Sequence, residues 1–295
     1  ISMVQPEESL SVWKRVIGQT NGRIVAAPLP TFPAQGAYRM RQERVRIFDS
    51  QGEAYKQAFQ IFLDHTDQKR NAKRWLQEVV DGLPARKVFI DAGAGNGELT
   101  KAFADVFTRT IAIEPNVYLL NQLQQTLPTV EVLGLPILAA QPAAQGDLVL
   151  CSHTFYYIPA DEWLMHLERL VSWMAPTGVT IVVLQHCESG CMHMVRHFFG
   201  HRFELRQVAE AFRAKHGDRY DVVTTQEPAH VETPDLDKAY AVAEFMLNLL
   251  DITSAPTRED VEGYVRANFA TQQGTYRIPV DQDFLQIRHR STSTT

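Results

Sequence analysis

The segment Asp91-Ala92-Gly93-Ala94-Gly95-Asn96-Gly97 constrains this chain more than any other. It follows a short apolar run at residues 87–91 (KVFID) and precedes an apolar stripe at helical spacing, Leu99, Ala102, Phe103 and Val106. Three glycines between a strand and a helix let the backbone turn tightly and come close to a ligand. The alternation continues beyond the loop. Residues 110–114 (TIAIE), 130–133, 147–151 (DLVLC) and 179–184 (VTIVVL) read as strands, and 117–127 and 160–174 as helices. Strands that alternate with helices need crossover connections. The chain is therefore predicted to be α/β, with a mainly parallel sheet and helices on both faces.

Helical spacing also appears before the loop, at Tyr55, Phe59, Phe62 and Leu63, and again at Trp75, Leu76, Val79 and Val80. After the alternating region come helices near residues 190–199 and 204–216, a β-branched stretch at 221–225, helices at 236–250 and 257–270, and a last strand at 284–289. Pro28, Pro30 and Pro33 interrupt the first 45 residues, which read as an arm. Residues 291–295 read as a frayed tail. One domain at 46–290 lies between them.

Composition narrows the function classes. With 45% hydrophobic and 21% charged residues, the 295-residue chain can bury a sizeable core. A net charge of −5 repels phosphate backbones, so general nucleic-acid binding is disfavoured. No apolar run approaches the roughly 20 residues of a membrane span, and the first 25 residues lack a signal-peptide core. The chain begins at Ile1 rather than Met, so that residue is not read as the native start. Cys151, Cys187 and Cys191 cannot all pair with one another, which argues against a disulfide-built secreted fold. The expectation is a cytoplasmic protein, a monomer or weak homodimer, acting on a small molecule without membrane or nucleic-acid partners.

The acids around the loop sharpen the reading. Asp91 directly precedes the glycines, whose spacing is G-x-G-x-G rather than G-x-G-x-x-G, and Glu114 ends the next strand 23 residues on. This set is similar to that of class I S-adenosylmethionine-dependent methyltransferases. The resemblance implies a seven-stranded Rossmann-like sheet with a helical lid. In that family the loop backs the methionine moiety and the second acid holds both ribose hydroxyls, a task that suits a carboxylate with two oxygens. Asp91, Gly93, Gly95, Gly97, Glu114, Pro115 and Ser152 become the expected cofactor residues. A nicotinamide-binding Rossmann domain and a glycine turn without ligand are the competing readings. His153, Tyr156 and Tyr157 follow the fourth strand at the sheet end where such folds bind ligands. They are the expected catalytic residues, with His153 a candidate general base and the tyrosines a wall around a sulfonium methyl. In the competing reading these three only pack and cap.

A closer resemblance rests on several short motifs taken together. They are Phe48, Gly52, Tyr55 and Phe59 before Phe62-Leu63-Asp64-His65-Thr66; Glu114-Pro115; Phe155-Tyr156-Tyr157; Ser189-Gly190; Phe199-Gly200-His201-Arg202-Phe203; Glu244-Phe245; and Ala255-Pro256. In this order the set resembles the histamine N-methyltransferase family, from about Phe48 to Gln286. The resemblance implies lid helices at 46–82, a cofactor core at 83–186 and acceptor-side elements at 187–290. It also implies that Phe48, Tyr55, Tyr156, Tyr157, Phe203 and Phe245 line the acceptor pocket. The family's amine-binding glutamate is Gln68 here, and its C-terminal polar contact falls at Gln282. A pocket tryptophan falls at Arg196, which could clamp a carboxylate. Histamine is therefore not the expected acceptor. An amine or amino-acid nitrogen leads, with a carboxylate oxygen second.

Two other signals point elsewhere. Cys187, Cys191, His193, His197 and His201 have partial metal-ligand spacing but no paired C-x-x-C, so no metal is expected. Cys151 is not expected to act as a nucleophile, because methyl transfer from a sulfonium needs no covalent intermediate. A non-catalytic S-adenosylmethionine-binding module would keep Asp91, Gly93 and Glu114 but fill the acceptor pocket.

Overall fold

The computed structural model describes residues 43–49, 52–249 and 252–290. Two helices open the domain, α1 (Glu53–His65) and α2 (Gln68–Asp81). In α2 the buried residues Gln68, Ala72, Leu76 and Val80 recur every four positions, one stripe turned inward. Then come β1 (Val88–Ala92), α3 (Glu98–Phe103), β2 (Arg109–Ile113), α4 (Val117–Thr126), β3 (Glu131–Leu133) and β4 (Gly146–Ser152). They are followed by α5 (Trp163–Ser172), β5 (Met174–Gln185), α6 (Gly190–Phe199), α7 (Leu205–His216) and β6 (Tyr220–Glu227). The remainder is β7 (His230–Thr233), α8 (Leu236–Leu247), α9 (Arg258–Phe269), β8 (Tyr276–Pro279) and β9 (Gln282–His289). The described residues form one compact unit.

Seven strands form one sheet in the order β3-β2-β1-β4-β5-β9-β6. The pairs from β3 through β5 are parallel, and β9 runs antiparallel to both of its neighbours. This is the mainly parallel sheet that the alternation predicts. Its central strands are buried on both faces, as β4 shows with six buried residues in succession before Ser152. Neighbouring residues of β1 serve opposite faces. Phe89 packs with Leu76, Val80, Phe103 and Phe284, while Ile90 packs with Ile111, Val149, Leu167 and Leu170.

The sequence reading missed the two-stranded ribbon of β7 and β8. It placed the start of the last strand two residues late, at 284 rather than Gln282. The helix expected at 160–174 is shorter, with a 3-10 turn at Ala160–Glu162 before α5. The expected arm lies outside the described residues except for positions 43–45, as do Leu250 of the expected 236–250 helix and the 291–295 tail. Residues 43–49 strap along α8. The buried Glu244 carboxylate accepts from the Arg46 backbone N–H at 2.7 Å and from its guanidinium, and Asn248 Oδ1 accepts from the Phe48 N–H at 2.8 Å. Among the described residues, no helix is long and apolar enough to cross a membrane.

Candidate active site

The glycine loop joins β1 to α3 at the C-terminal edge of the sheet. Gly93, Gly95 and Gly97 all have positive φ, +75°, +58° and +83°. A side chain at Gly93 would drive its Cβ to 2.1 Å from Thr154 Oγ1. The loop thus lies against the segment that follows β4, and only a residue without Cβ permits that approach. The Gly95 Cβ position faces open space. The Gly93 and Ala94 N–H groups both donate to Ile113 O, at 2.8 and 3.1 Å, which ties the loop to the end of β2.

Glu114 follows β2 and is buried. Its Oε2 accepts from the Gly95 N–H and its Oε1 from the Asn116 N–H, each at 2.8 Å. Asn116, which the sequence reading did not single out, also caps α4 by accepting from the Tyr118 and Leu119 N–H groups. Pro115 is exposed between the two and leads the chain into this cap. A carboxylate has about four lone-pair positions. Two are taken here by backbone donors that fix its orientation, and two remain for a ribose diol. The oriented acid and the open side of Gly95 therefore fit the nucleoside of S-adenosylmethionine.

Asp91 sits under the loop rather than in it. Thr100 Oγ1 donates to its Oδ2 at 2.6 Å. Burial lifts its carboxyl to about 6; the Thr100 hydroxyl opposes this, and the charge of Glu114 adds to it. An acid with a raised folded pKa favours its protonated form. Its stabilising contribution is present at low pH and is lost as pH rises through about 6. Asp91→Asn is therefore expected to raise Tm by several degrees at pH 7.5, with the gain shrinking as pH falls below 6. Thermal melts across that range check it, and a gain independent of pH would contradict it.

The segment after β4 carries the next group. His153 has φ +56°, alone among the described non-glycine residues with positive φ, and its N–H donates to Val183 O at 2.9 Å. Strained backbone of this kind often marks a functional position. Gln282 Nε2 lies 2.7 Å from His153 Nε2, and the Tyr156 hydroxyl lies 3.5 Å from Nδ1. Gln282 donates to the bare Nε2 of a neutral ring, and Nδ1–H points toward the Tyr156 oxygen. Protonating the ring would set two N–H groups against each other. Burial and the nearby Lys69 cation push the imidazole down to about 3.

This corrects the expectation of a general base that titrates near neutrality. The lone pair is occupied, and the ring stays neutral across the physiological range. His153→Ala is expected to lower kcat/KM by about 10- to 100-fold, through loss of a buried hydrogen-bonded position. The shape of the pH–rate profile between pH 6 and 8 should not change. A wild-type limb near neutrality that the variant lacks would contradict this.

Tyr156 is buried, and its hydroxyl accepts from the Gln185 N–H at 2.7 Å. Burial raises its phenol well above the usual range. Its ring meets Phe203 edge-on at 5.1 Å. Tyr157 is 71% exposed and electrostatically coupled to Glu114 and Tyr55, a position at the rim. Tyr55 and Phe245 lie 5.6 Å apart, and Phe48 packs edge-on to Tyr55 at 6.3 Å. The structure thus gathers Phe48, Tyr55 and Phe245 in one aromatic group and Tyr156 with Phe203 in another.

The polar candidates separate. Gln68 is buried and donates to Val280 O at 2.9 Å, close to Gln282 at the start of β9. Arg196 does not offer a free clamp. It lies on the exposed side of α6 and binds Glu188, Nη1 to Oε1 at 3.2 Å, because the loop before the helix already supplies a carboxylate. The clustered histidines also diverge: His193 binds Glu188 at 2.6 Å, His197 packs on Tyr264 at 4.9 Å and His201 lies over Phe203 at 6.3 Å. Burial pushes the Cys151 and Cys191 thiols up to about 12, which leaves them inert.

Three comparisons bear on this geometry. Residues 63–224 match a methyltransferase domain family. An uncharacterized methyltransferase of Alkaliphilus oremlandii is 23% identical over 140 residues, 46% of this chain and 65% of that protein. Two solved structures share the fold. The N-methyltransferase NodS of Bradyrhizobium japonicum WM9, in complex with S-adenosyl-L-homocysteine, has a TM-score of 0.50 at 13% identity, over 81% of this chain and 100% of NodS. YcgJ of Bacillus subtilis also gives 0.50, at 14% identity, over 73% of this chain and 98% of YcgJ. The family match spans more than half of the sequence, and it meets the seven-stranded sheet at the glycine loop and the oriented Glu114. The chain belongs to this methyltransferase family, and its cofactor is S-adenosylmethionine.

Proposed function

We propose that this methyltransferase acts in the cytoplasm on the nitrogen of a small amine or amino acid other than histamine. The observation that carries the reading is Gln282 Oε1, a buried acceptor atom with no hydrogen-bond partner among the described residues. An unsatisfied buried carbonyl costs about 1–3 kcal/mol. An N–H of the acceptor substrate would satisfy it, whereas an ionised carboxylate has no proton to give. The position is also the one that the histamine N-methyltransferase resemblance implies for holding an amine. Gln68, where that family carries a glutamate, donates to Val280 O and adds no charge to hold an ammonium such as that of histamine.

S-adenosylmethionine, when bound, supplies a methyl group made electrophilic by the sulfonium. The protein's own residues hold and screen the reactants. Glu114, held by the Gly95 and Asn116 N–H groups, would take the ribose hydroxyls. Tyr55, Tyr156, Tyr157, Phe203 and Phe245 form a wall that excludes water and favours a cationic centre. Neutral His153 holds Gln282 in place. With His153 neutral and its lone pair taken by Gln282, the acceptor would have to enter as the unprotonated amine, and the protein's part would be to position it and exclude water.

The Gln282→Leu variant tests the reading. It is expected to raise KM for the best amine by about tenfold or more while the affinity for S-adenosylhomocysteine stays the same. An unchanged KM would remove Gln282 from the acceptor site. A preference for carboxylate acceptors in the wild type would favour the O-methyl alternative.

A further inference from the structure

Lys69 is a charged side chain near the site for which neither the motifs nor the mechanism has a use. It stands in the first turn of α2, directly after Gln68, and is only half-buried. Among the described residues its ammonium has neither a hydrogen bond nor an ion pair. Four residues further along the same helix face, Lys73 pairs with Glu98 at 3.9 Å. Glu98 is the first residue of α3, the helix that the glycine loop enters. Lys69 is electrostatically coupled to Glu98 and Lys73 on one side and to His153 on the other. The helix that carries it thus faces the start of α3 through the Lys73–Glu98 pair, and its charge is felt at His153 in the segment after Ser152.

We propose that Lys69 is the anchor for the carboxylate of the cofactor's amino-acid end; this rests on S-adenosylmethionine being the cofactor. A half-buried ammonium without a counter-ion is unfavourable unless an anion arrives with the ligand. Burial lowers the pKa of Lys69; the Glu98 charge opposes this only in part, and the Lys73 cation adds to it. Glu98 does not fill the role, since it is engaged by Lys73.

The cofactor's carboxylate fits better than an acidic acceptor. Two of the partners coupled to Lys69, Glu98 and Lys73, belong to the loop side of the site, and the third, His153, stands on the segment after β4. Glu114 would hold the ribose at one end of the cofactor and Lys69 the carboxylate at the other, so that both ends are fixed while the methyl group lies between them.

The test is binding calorimetry with three ligands on the wild type, Lys69→Met and Lys69→Arg. The ligands are S-adenosylhomocysteine, its carboxamide, in which an uncharged amide replaces the carboxylate, and 5′-methylthioadenosine, which lacks the amino-acid end. The proposal expects Lys69→Met to lose about 10- to 100-fold in affinity for S-adenosylhomocysteine, the range of a charge-assisted contact, and little for the other two. Lys69→Arg should keep most of the affinity. The Tm of Lys69→Met should match or exceed that of the wild type, because a desolvated charge is removed. Equal losses for all three ligands would mean a structural role and would overturn the proposal. So would unchanged affinity for S-adenosylhomocysteine, including the case where only KM for an acidic acceptor rises. A wild type that binds none of the three would overturn the cofactor assignment itself.

Discussion

Gly93→Val is expected to abolish S-adenosylhomocysteine binding. Two effects act at the same residue. Its φ of +75° is a left-handed conformation that a β-branched residue adopts only at a cost of about 1–2 kcal/mol. The new Cβ would also lie 2.1 Å from Thr154 Oγ1, and further carbons would follow it. Relief requires the glycine loop and the segment after β4 to separate, which typically costs a further 1–3 kcal/mol or so. Their separation would move Gly95, whose N–H orients Glu114, and His153 at once. Gly95→Ala is the control. Its Cβ meets nothing within 4 Å, so it bears only the backbone cost of about 1 kcal/mol and should fold. Calorimetry alongside thermal melts reads both variants. A Gly93→Val protein with wild-type Tm and affinity would show that the loop is not the cofactor's seat.

Glu114→Ala is expected to weaken S-adenosylhomocysteine by about 30- to 150-fold, the equivalent of roughly 2–3 kcal/mol for a charge-assisted contact made at two points. The orientation of the acid sets this magnitude. Its two oxygens each hold one backbone N–H, from Gly95 and Asn116, and the diol would use the remaining lone pairs. Removing the carboxylate also strands these two N–H groups, so the loop should loosen as well. Glu114→Gln separates the effects. Its amide oxygen can still accept from one N–H, but its NH2 opposes the other. It should fold like the wild type and still bind weakly. Titrations of all three proteins at one ionic strength decide the matter. Unchanged affinity in both variants would remove Glu114 from the cofactor site.

Much of this molecule was legible in its residues, for physical reasons. Strands buried on both faces read as continuous apolar runs, and β4 is such a run. The helix read at 190–199 has those bounds because Ser189 caps it by accepting from the Met192 N–H and Gly200 ends it at φ +73°. The start of β9 was not legible. Gln282 and Asp283 are polar yet buried, and their burial depends on His153, His186 and Arg206, which come from distant parts of the chain. The ribbon of β7 and β8 has four-residue strands separated by two helices, too short for a period to show.

The site divides in the same way. The acid after β2 and the glycines could be read because their chemistry is local. The role of His153 could not, because its pKa is set by burial and by Lys69 on a separate helix. Arg196 was placed on the right helix, but its partner Glu188 could not be foreseen from helical spacing. Lys69 gave no signal at all in the sequence; a lysine in a first helical turn reads as solvated.

Methyl transfer from S-adenosylmethionine to a small amine is tested by following donor consumption by the wild-type protein. S-adenosylhomocysteine formation would be measured over matched sets of primary amines, amino acids and carboxylic acids, and each product weighed by mass spectrometry and its methyl located by NMR. Turnover of at least one amine or amino acid is expected, with the methyl on nitrogen and histamine among the poor acceptors. Turnover confined to carboxylic acids, with the methyl on oxygen, would contradict it, as would tight S-adenosylhomocysteine binding with no acceptor consumed in any set.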